Sequence, residues 1–370
     1  MIRSHSALLA CLALSVACAS QSKGSNDPNA GQYDGYYDEN GDAAGTSTAD
    51  GGTKTPVGPR PKARASTATR GGAKRTGKSI ALVPTKPPVS GGDKPHKAPK
   101  DLKSEFGVDG FFPTYATVGS LIEVYGSGFP EDANKAKVFI GGKQLEVVEL
   151  TPDRIVAKVG ANTTGVVEVG MGTGRTNRRN RAKTTTRFTA TAADGAFGQP
   201  RTEVGHGLLG LVYEVGPDVQ EVPNFNDLGA PVAFIGVDDL DIPSGAAAAG
   251  VAGRGQSFGI HFQGSLNIVE AGEYELCLTA GDGALLFLDQ TPIIDNDGSG
   301  AAREVCEVLF VEPGEYGLDL LYYQGADTDA GLTLTWSKDG GAKEPVPAQA
   351  FFPPETLREL AVGNEQAAAG

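Results

Sequence analysis

Apolar and polar positions divide this chain into distinct textures. Behind Arg3, residues Ala7–Leu14 form a short apolar run, followed by the small residues Ser15, Val16 and Ala17 and then Cys18. Residues 18–105 show almost no apolar periodicity and are rich in Gly, Pro, Ser, Thr, Asn and Lys. Such a segment cannot bury enough surface to offset its ordering entropy, so a disordered tether is expected there. From Phe106 the pattern changes to short alternating runs: Leu121–Phe129, Lys137–Gly142, Glu146–Leu150, Ile155–Val159 and Gly165–Val169, with turn residues such as Thr151-Pro152-Asp153-Arg154 between them. Strands repeating every ten residues or so predict an all-β sandwich over 106–191. A second alternating region occupies 204–354, including Ser257–Leu266, Ala271–Thr279 and Leu332–Trp336. In the last of these Leu332, Leu334 and Trp336 are expected to face one core. Residues 355–370 read as a C-terminal tail.

Composition sharpens this picture. With 52 glycines and 23 prolines among 370 residues, much of the chain cannot be packed helix. The net charge of −13 hides a segregation: residues 54–103 carry thirteen Lys/Arg against Asp93 and Asp101, a segment of +11 that leaves −24 for the rest. The basic stretch is a stalk, or a stalk that also attracts anionic envelope polymers.

The N-terminus has the basic start, short apolar stretch and small-residue cleavage point of an export signal over 1–17, too short to span a bilayer. A cysteine just after the cut resembles the lipobox of bacterial lipoproteins, which implies that Cys18 is lipidated and becomes the first mature residue. Ser15 stands where that family prefers leucine, and an ordinary cleaved signal with release is the alternative. The resemblance implies an exported protein held at the membrane by lipid, and Ala19 favours the outer membrane, facing the periplasm or the surface. With Cys11 removed and Cys18 lipidated, Cys277 and Cys306 remain; in an oxidising compartment they are expected to form one disulfide, two buried thiols being the alternative.

Two motifs invite a nucleotide or nucleic-acid reading and lack the context for it. Gly72–Ser79 fits G-x-x-x-x-G-K-S, but no strand precedes it and Pro84 closes the way to a following helix. Arg175–Lys183 carries five cationic side chains with no aromatic interleaving, so a solvated hairpin tip or an anionic polymer contact is favoured over nucleic acid. His96, His206 and His261 are too scattered for a zinc site or a triad. The adjacent pair Asp238-Asp239 cannot easily flank one glycosidic bond.

Two family resemblances cover most of the rest. The Gly126-Ser127-Gly128-Phe129 turn, the Gly141-Gly142 hairpin and Thr151-x-Asp153-x-Ile155 resemble an IPT/TIG domain, an immunoglobulin-like module. Further on, Gly207–Tyr213, Ser257–Leu266, Ala271–Thr279, Gly281–Asp289, Ile293–Gly298, Glu312–Leu318, Leu321–Gly325, Leu332–Trp336 and Ala350–Pro353 resemble, in order, the blocks of a PA14 domain. The resemblances imply an immunoglobulin-like sandwich plus a PA14 β-sandwich or barrel. They also imply a non-enzymatic role in recognising a carbohydrate or envelope polymer, the alternative being assembly with other surface proteins.

Sugar-binding PA14 members hold a Ca²⁺ with two consecutive aspartates, and the ion grips sugar hydroxyls. Here Gly281 stands at the first of those positions and only Asp282 remains, which should weaken or remove the Ca²⁺ dependence. Candidate metal ligands are Asp282, Asp295 and Asp297, and candidate ligand-binding residues are Asp282, Asp289 and Asn296, with Asp327 and Asp329 in a later loop. The competing reading places Asp289 and Asp295–Gly298 in turns closed by side-chain-to-backbone bonds.

Overall fold

Alternation built two sandwiches, as expected, but the residues flanking them also fold. The computed structural model describes residues 80–89, 94, 96–100, 102, 105–173, 180–191, 197, 200–242, 251–326 and 331–369. Cys18, the tether up to 79, Gly72–Ser79, Arg175–Arg179, Asp327 and Asp329 lie outside them.

Strand β1 (Ile80–Leu82) precedes the first sandwich. That sandwich contains β2 (Gly107–Phe112), β3 (Tyr115–Thr117), β4 (Leu121–Ser127), β5 (Ala136–Ile140), β6 (Lys143–Gln144), β7 (Glu146–Leu150), β8 (Arg154–Lys158), β9 (Gly165–Met171) and β10 (Arg181–Thr191). Its sheets run β2-β4-β8-β7 and β3-β10-β9-β5-β6. Ile122, Val124, Val138, Ile155, Val167, Val169 and Phe188 fill the space between them.

The second sandwich contains β11 (Leu208–Glu214), β12 (Ala233–Val237), β13 (Asp241–Ile242), β14 (Phe258–Ile268), β15 (Gly272–Gly281), β16 (Gly283–Leu288), β17 (Thr291–Asn296), β18 (Arg303–Val311), β19 (Gly314–Gln324), β20 (Gly331–Lys338), β21 (Glu344–Pro345) and β22 (Phe351–Phe352). One sheet runs β12-β11-β14-β19-β16-β17 with β22 on β14; the other runs β1-β18-β15-β20-β13 with β21 on β20. Leu332 and Leu334 join the core between them, and Trp336 packs against it, 5.5 Å from the Tyr274 ring. Cys277 and Cys306 face each other on β15 and β18 and form a disulfide with S–S 2.07 Å.

Two expectations about the flanks need correction. Residues 80–100 include ordered structure: β1 pairs in parallel with the edge strand β18, and Leu82 enters the core. Asn267 and the backbone of Val89 exchange hydrogen bonds of 2.9 and 3.1 Å, Lys94 pairs with Glu315 at 2.5 Å, and His96 Nε2 lies 2.8 Å from Asp153. Beyond Ile80 and Leu82 the strap binds through its backbone and a few polar side chains, so its apolar alternation is only one strand long. The C-terminal tail, likewise, is helix α1 (Leu357–Ala369), packed back onto the first sandwich. Arg358 donates to Asp109 and to the Gly126 carbonyl at 3.0 and 3.1 Å, and Glu365 accepts the Thr186 N–H at 2.9 Å. Gly110 admits the helix, since a Cβ there would lie 2.4 Å from the Ala361 carbonyl oxygen.

The sandwiches meet across a buried polar junction. On β4, Ile122 and Val124 point into the core, so Glu123 and Tyr125 point the other way, and both are buried. Glu123 accepts from Tyr125 Oη at 2.8 Å, from Arg154 at 3.1 Å and from Arg201 of the connecting segment. Burial works to raise the Glu123 pKa, but the Arg201 and Arg154 charges outweigh it and hold the carboxyl at about 2. Arg201 Nε also donates to the His206 carbonyl at 2.7 Å, and Thr114 and Phe234 exchange backbone and hydroxyl hydrogen bonds.

Candidate ligand-binding site

Three chain crossings between the two sheets of the second sandwich converge on Asp282. This residue is itself the first crossing, the single step from β15 in one sheet to β16 in the other. The second crossing is the 297–302 loop from β17 to β18, and the third follows Gln324 at the end of β19. Asp282 is 1% exposed; its Oδ1 accepts the Gly300 N–H at 2.8 Å and its Oδ2 accepts the Gly325 N–H at 2.7 Å. One carboxylate therefore ties all three crossings together, and the Gly281–Asp282 peptide is trans. Glycine is required beside it: a Cβ on Gly283 would sit 2.5 Å from the Tyr323 ring and 2.8 Å from Asp297 Oδ1.

The neighbouring candidates are also engaged by main chain. Asp297 Oδ1 accepts the Val222 and Gly298 N–H groups at 2.7 and 2.6 Å, so the 215–232 loop is pinned to the same corner. Ser299 donates to Gln220 across the same gap at 2.8 Å. Asp295 Oδ1 accepts the Asp297 N–H at 3.1 Å, the turn bond of the competing sequence reading. Asn296 is buried and donates to the Leu278 and Arg303 carbonyls at 3.0 and 2.9 Å. Asp289 is not part of this corner. It lies at the other end of β16, in the hairpin turn with Gln290, both at positive φ, where its Oδ1 accepts the Gly317 N–H at 2.7 Å. The length of β16 separates it from Asp282 by roughly 20 Å.

Two residues that sequence reasoning missed complete the corner. Arg303 Nη2 donates to the carbonyl oxygens of Asn296 at 2.9 Å, of Gly298 at 3.1 Å, and of Asp297. Tyr323 is wholly buried, and its hydroxyl has no hydrogen-bond partner among the described residues. Burial, then the nearby Asp282 and Asp297 charges, push its phenol well above the usual tyrosine range. The sequence holds a weak signal for Arg303, a lone cation directly after the Gly298–Ala302 loop. It holds none for Tyr323, which alternates like any strand residue.

Ca²⁺ takes six to eight oxygen ligands. Here the Asp282 oxygens, Asp297 Oδ1 and Asp295 Oδ1 accept backbone N–H groups, and Arg303 holds the three loop carbonyls. Among the described residues the one close group of three metal-ligating side chains is Glu275, Cys277 and Cys306, and its two sulfurs are joined to each other. The described residues do not offer the open oxygen set that Ca²⁺ requires.

The other singled-out residues have structural partners. Asp238 Oδ2 accepts the backbone N–H and hydroxyl of Thr202 at 2.9 and 2.8 Å, and Asp239 accepts the Asp241 N–H at 3.3 Å; burial raises the pKa of both. His261 lies 2.7 Å from Asp319, and His206 stacks on Phe352 at 4.9 Å. Arg181 pairs with Glu168 at 2.8 Å and covers the Phe139 ring.

A family model described as PA14 domain matches residues 206–350, and one described as IPT/TIG domain matches residues 108–190. No curated protein sequence matches the chain. Among solved structures, the PA14 domain of the antifreeze protein MpAFP is 21% identical over 40% of this chain and 92% of its own, with a TM-score of 0.34. The PA14 sugar-binding domain from an RTX adhesin is 18% identical over 40% and 99%, with a TM-score of 0.34. The Epithelial Adhesin 6 A domain from Candida glabrata, solved in complex with Galb1-3GlcNAc, is 10% identical over 42% and 89%, with a TM-score of 0.29.

Proposed function

We propose that this chain, in which an IPT/TIG domain is followed by a PA14 domain, is a non-catalytic recognition protein of the bacterial cell envelope. In this reading the PA14 domain binds a carbohydrate or envelope polymer at the corner built around Asp282, and the IPT/TIG domain orients it. The observation that carries the proposal is the convergence of three crossings and the 215–232 loop on one buried carboxylate, in a segment that a PA14 family model matches. A fixed corner of this kind suits recognition, because little ordering entropy is lost when a ligand docks.

The upstream part of the proposal is lipid attachment at Cys18, with the mature protein at the outer membrane and the residues up to 79 as its tether. Fatty-acid labelling that Cys18→Ser abolishes is the expected outcome.

The recognition step is tested with the full mature chain on immobilised saccharides and purified envelope polymers. Saturable binding to a defined saccharide, weakened several-fold by Asp282→Asn, is expected. A second reading, assembly with other surface proteins, is favoured by the junction at Glu123 and by α1, which fix the two domains relative to each other. Co-purification of a constant partner, with no saccharide response, would replace the first reading with the second.

A further inference from the structure

The 297–302 loop is folded around a cation supplied by the chain itself. Arg303 Nη2 meets the carbonyl oxygens of Asn296, Asp297 and Gly298 at one point. Convergent backbone carbonyls are a hard-cation arrangement, and carbonyl oxygens are among the ligands Ca²⁺ takes in protein loops. Gly298, at φ 107°, turns the loop so that the guanidinium can approach, with Nη2 3.4 Å from the site of its missing Cβ. Asp282 and Asp297 lie close enough to the same spot to act, with Arg303, on the Tyr323 phenol. The corner thus holds two carboxylates, three carbonyls and one permanent positive charge.

We infer that Arg303 takes the place of a metal ion in this corner, so that ligand binding by this PA14 domain is metal-independent. The inference rests on the recognition reading for its ligand but not for its chemistry. It joins two features of the chain: Gly281 stands where the family it resembles has the first aspartate, and Arg303 supplies the charge that orders the loop. With the carbonyls already satisfied, a divalent ion would have to displace the guanidinium, and both oxygens of Asp282 would have to leave their N–H partners. Arg303 is a positioning residue here: it holds the loop whose outer surface meets the ligand.

Terbium, a luminescent stand-in for Ca²⁺ that a nearby tyrosine sensitises, reads this directly in the full chain, with Tyr323 as the sensitiser. The wild-type protein is expected to give no saturable sensitised emission at concentrations covering the affinities of extracellular Ca²⁺ modules, about 0.1–1 mM. Arg303→Met, which frees the carbonyls, is expected to raise the emission several-fold. Arg303→Lys, which keeps a cation, is expected to remain dark. Saccharide binding by the wild type should be the same in EDTA and in Ca²⁺.

Saturable wild-type emission that Ca²⁺ displaces and Asp282→Asn removes would overturn the inference. So would saccharide binding that EDTA abolishes. If Arg303→Met does not fold, the wild-type titration still decides. If no saccharide binds under any condition, the recognition reading fails, and the terbium titration alone decides this one.

Discussion

Glu123 at the domain junction and Asp282 at the loop corner are both almost wholly buried carboxylates, satisfied by different chemistry. Glu123 takes its hydrogen bonds from side chains: two guanidinium groups and a phenol, brought from β4, β8 and the connecting segment. Among the described residues Asp282 accepts from two glycine N–H groups, and the guanidinium in its neighbourhood bonds to neutral carbonyls. A junction fixed by charge depends on the identity of each partner and on pH. A corner fixed by main chain depends on backbone shape, and therefore on Gly283, Gly300 and Gly325.

The largest effect should come from breaking the charged side of this comparison. Glu123→Gln leaves the buried Arg201 guanidinium without its counter-charge and Arg154 with only the partly exposed Glu149, and should cost about 3–5 kcal/mol, read as a lowered unfolding temperature. The same group sets an acid limit. Its pKa falls from 4.5 in the unfolded chain to about 2 in the folded one, so its contribution is fully present above pH 4.5 and is lost as pH falls towards 2. The wild type should lose stability through that window more steeply than Glu123→Gln, and parallel pH curves would show that Glu123 does not titrate as the junction requires.

On the main-chain side, Asp282→Asn keeps one acceptor oxygen and weakens two charge-assisted bonds, an expected loss of about 1.5–3 kcal/mol. Amide exchange should rise at Gly300 and Gly325 while the junction amides stay protected; uniform acceleration would mean that the corner is not a local unit. The smallest effect belongs to the strap. Lys86 and Glu355 pair at 3.1 Å with both side chains largely exposed, so Lys86→Ala should change stability by about 0–1 kcal/mol.

These contrasts also explain what the sequence could reveal. The two sandwiches were legible because strands that face one core repeat with period two, as Ile122/Val124 and Leu332/Leu334 do. The disulfide was legible from cysteine parity. The junction was not, because Glu123 and Arg201 are separated by 78 residues, and a single Glu within an apolar strand looks like an ordinary solvent-facing position. The strap and α1 were missed because their apolar faces are short, Ile80 and Leu82 on the one and Leu357 and Ala361 on the other, and the rest of each docks through polar side chains and backbone groups. At the corner, Asp282 stood out by family likeness. Arg303 did not, because its partners are carbonyls, which every residue has.

The pairing of β1 with β18 has a consequence for how the protein can be handled. Without β1, the six-stranded sheet would end in a row of unpaired backbone groups on β18, beside the half-exposed Phe310 and a hole where Leu82 had been. An exposed edge of that kind is a template for self-association. A fragment cut at the apparent boundary near residue 204 would lose this cover and also Arg201, which donates to the His206 carbonyl. Solution work on the PA14 half therefore calls for a chain that starts before Ile80, and clumping of a shorter piece would reflect the cut more than the native surface.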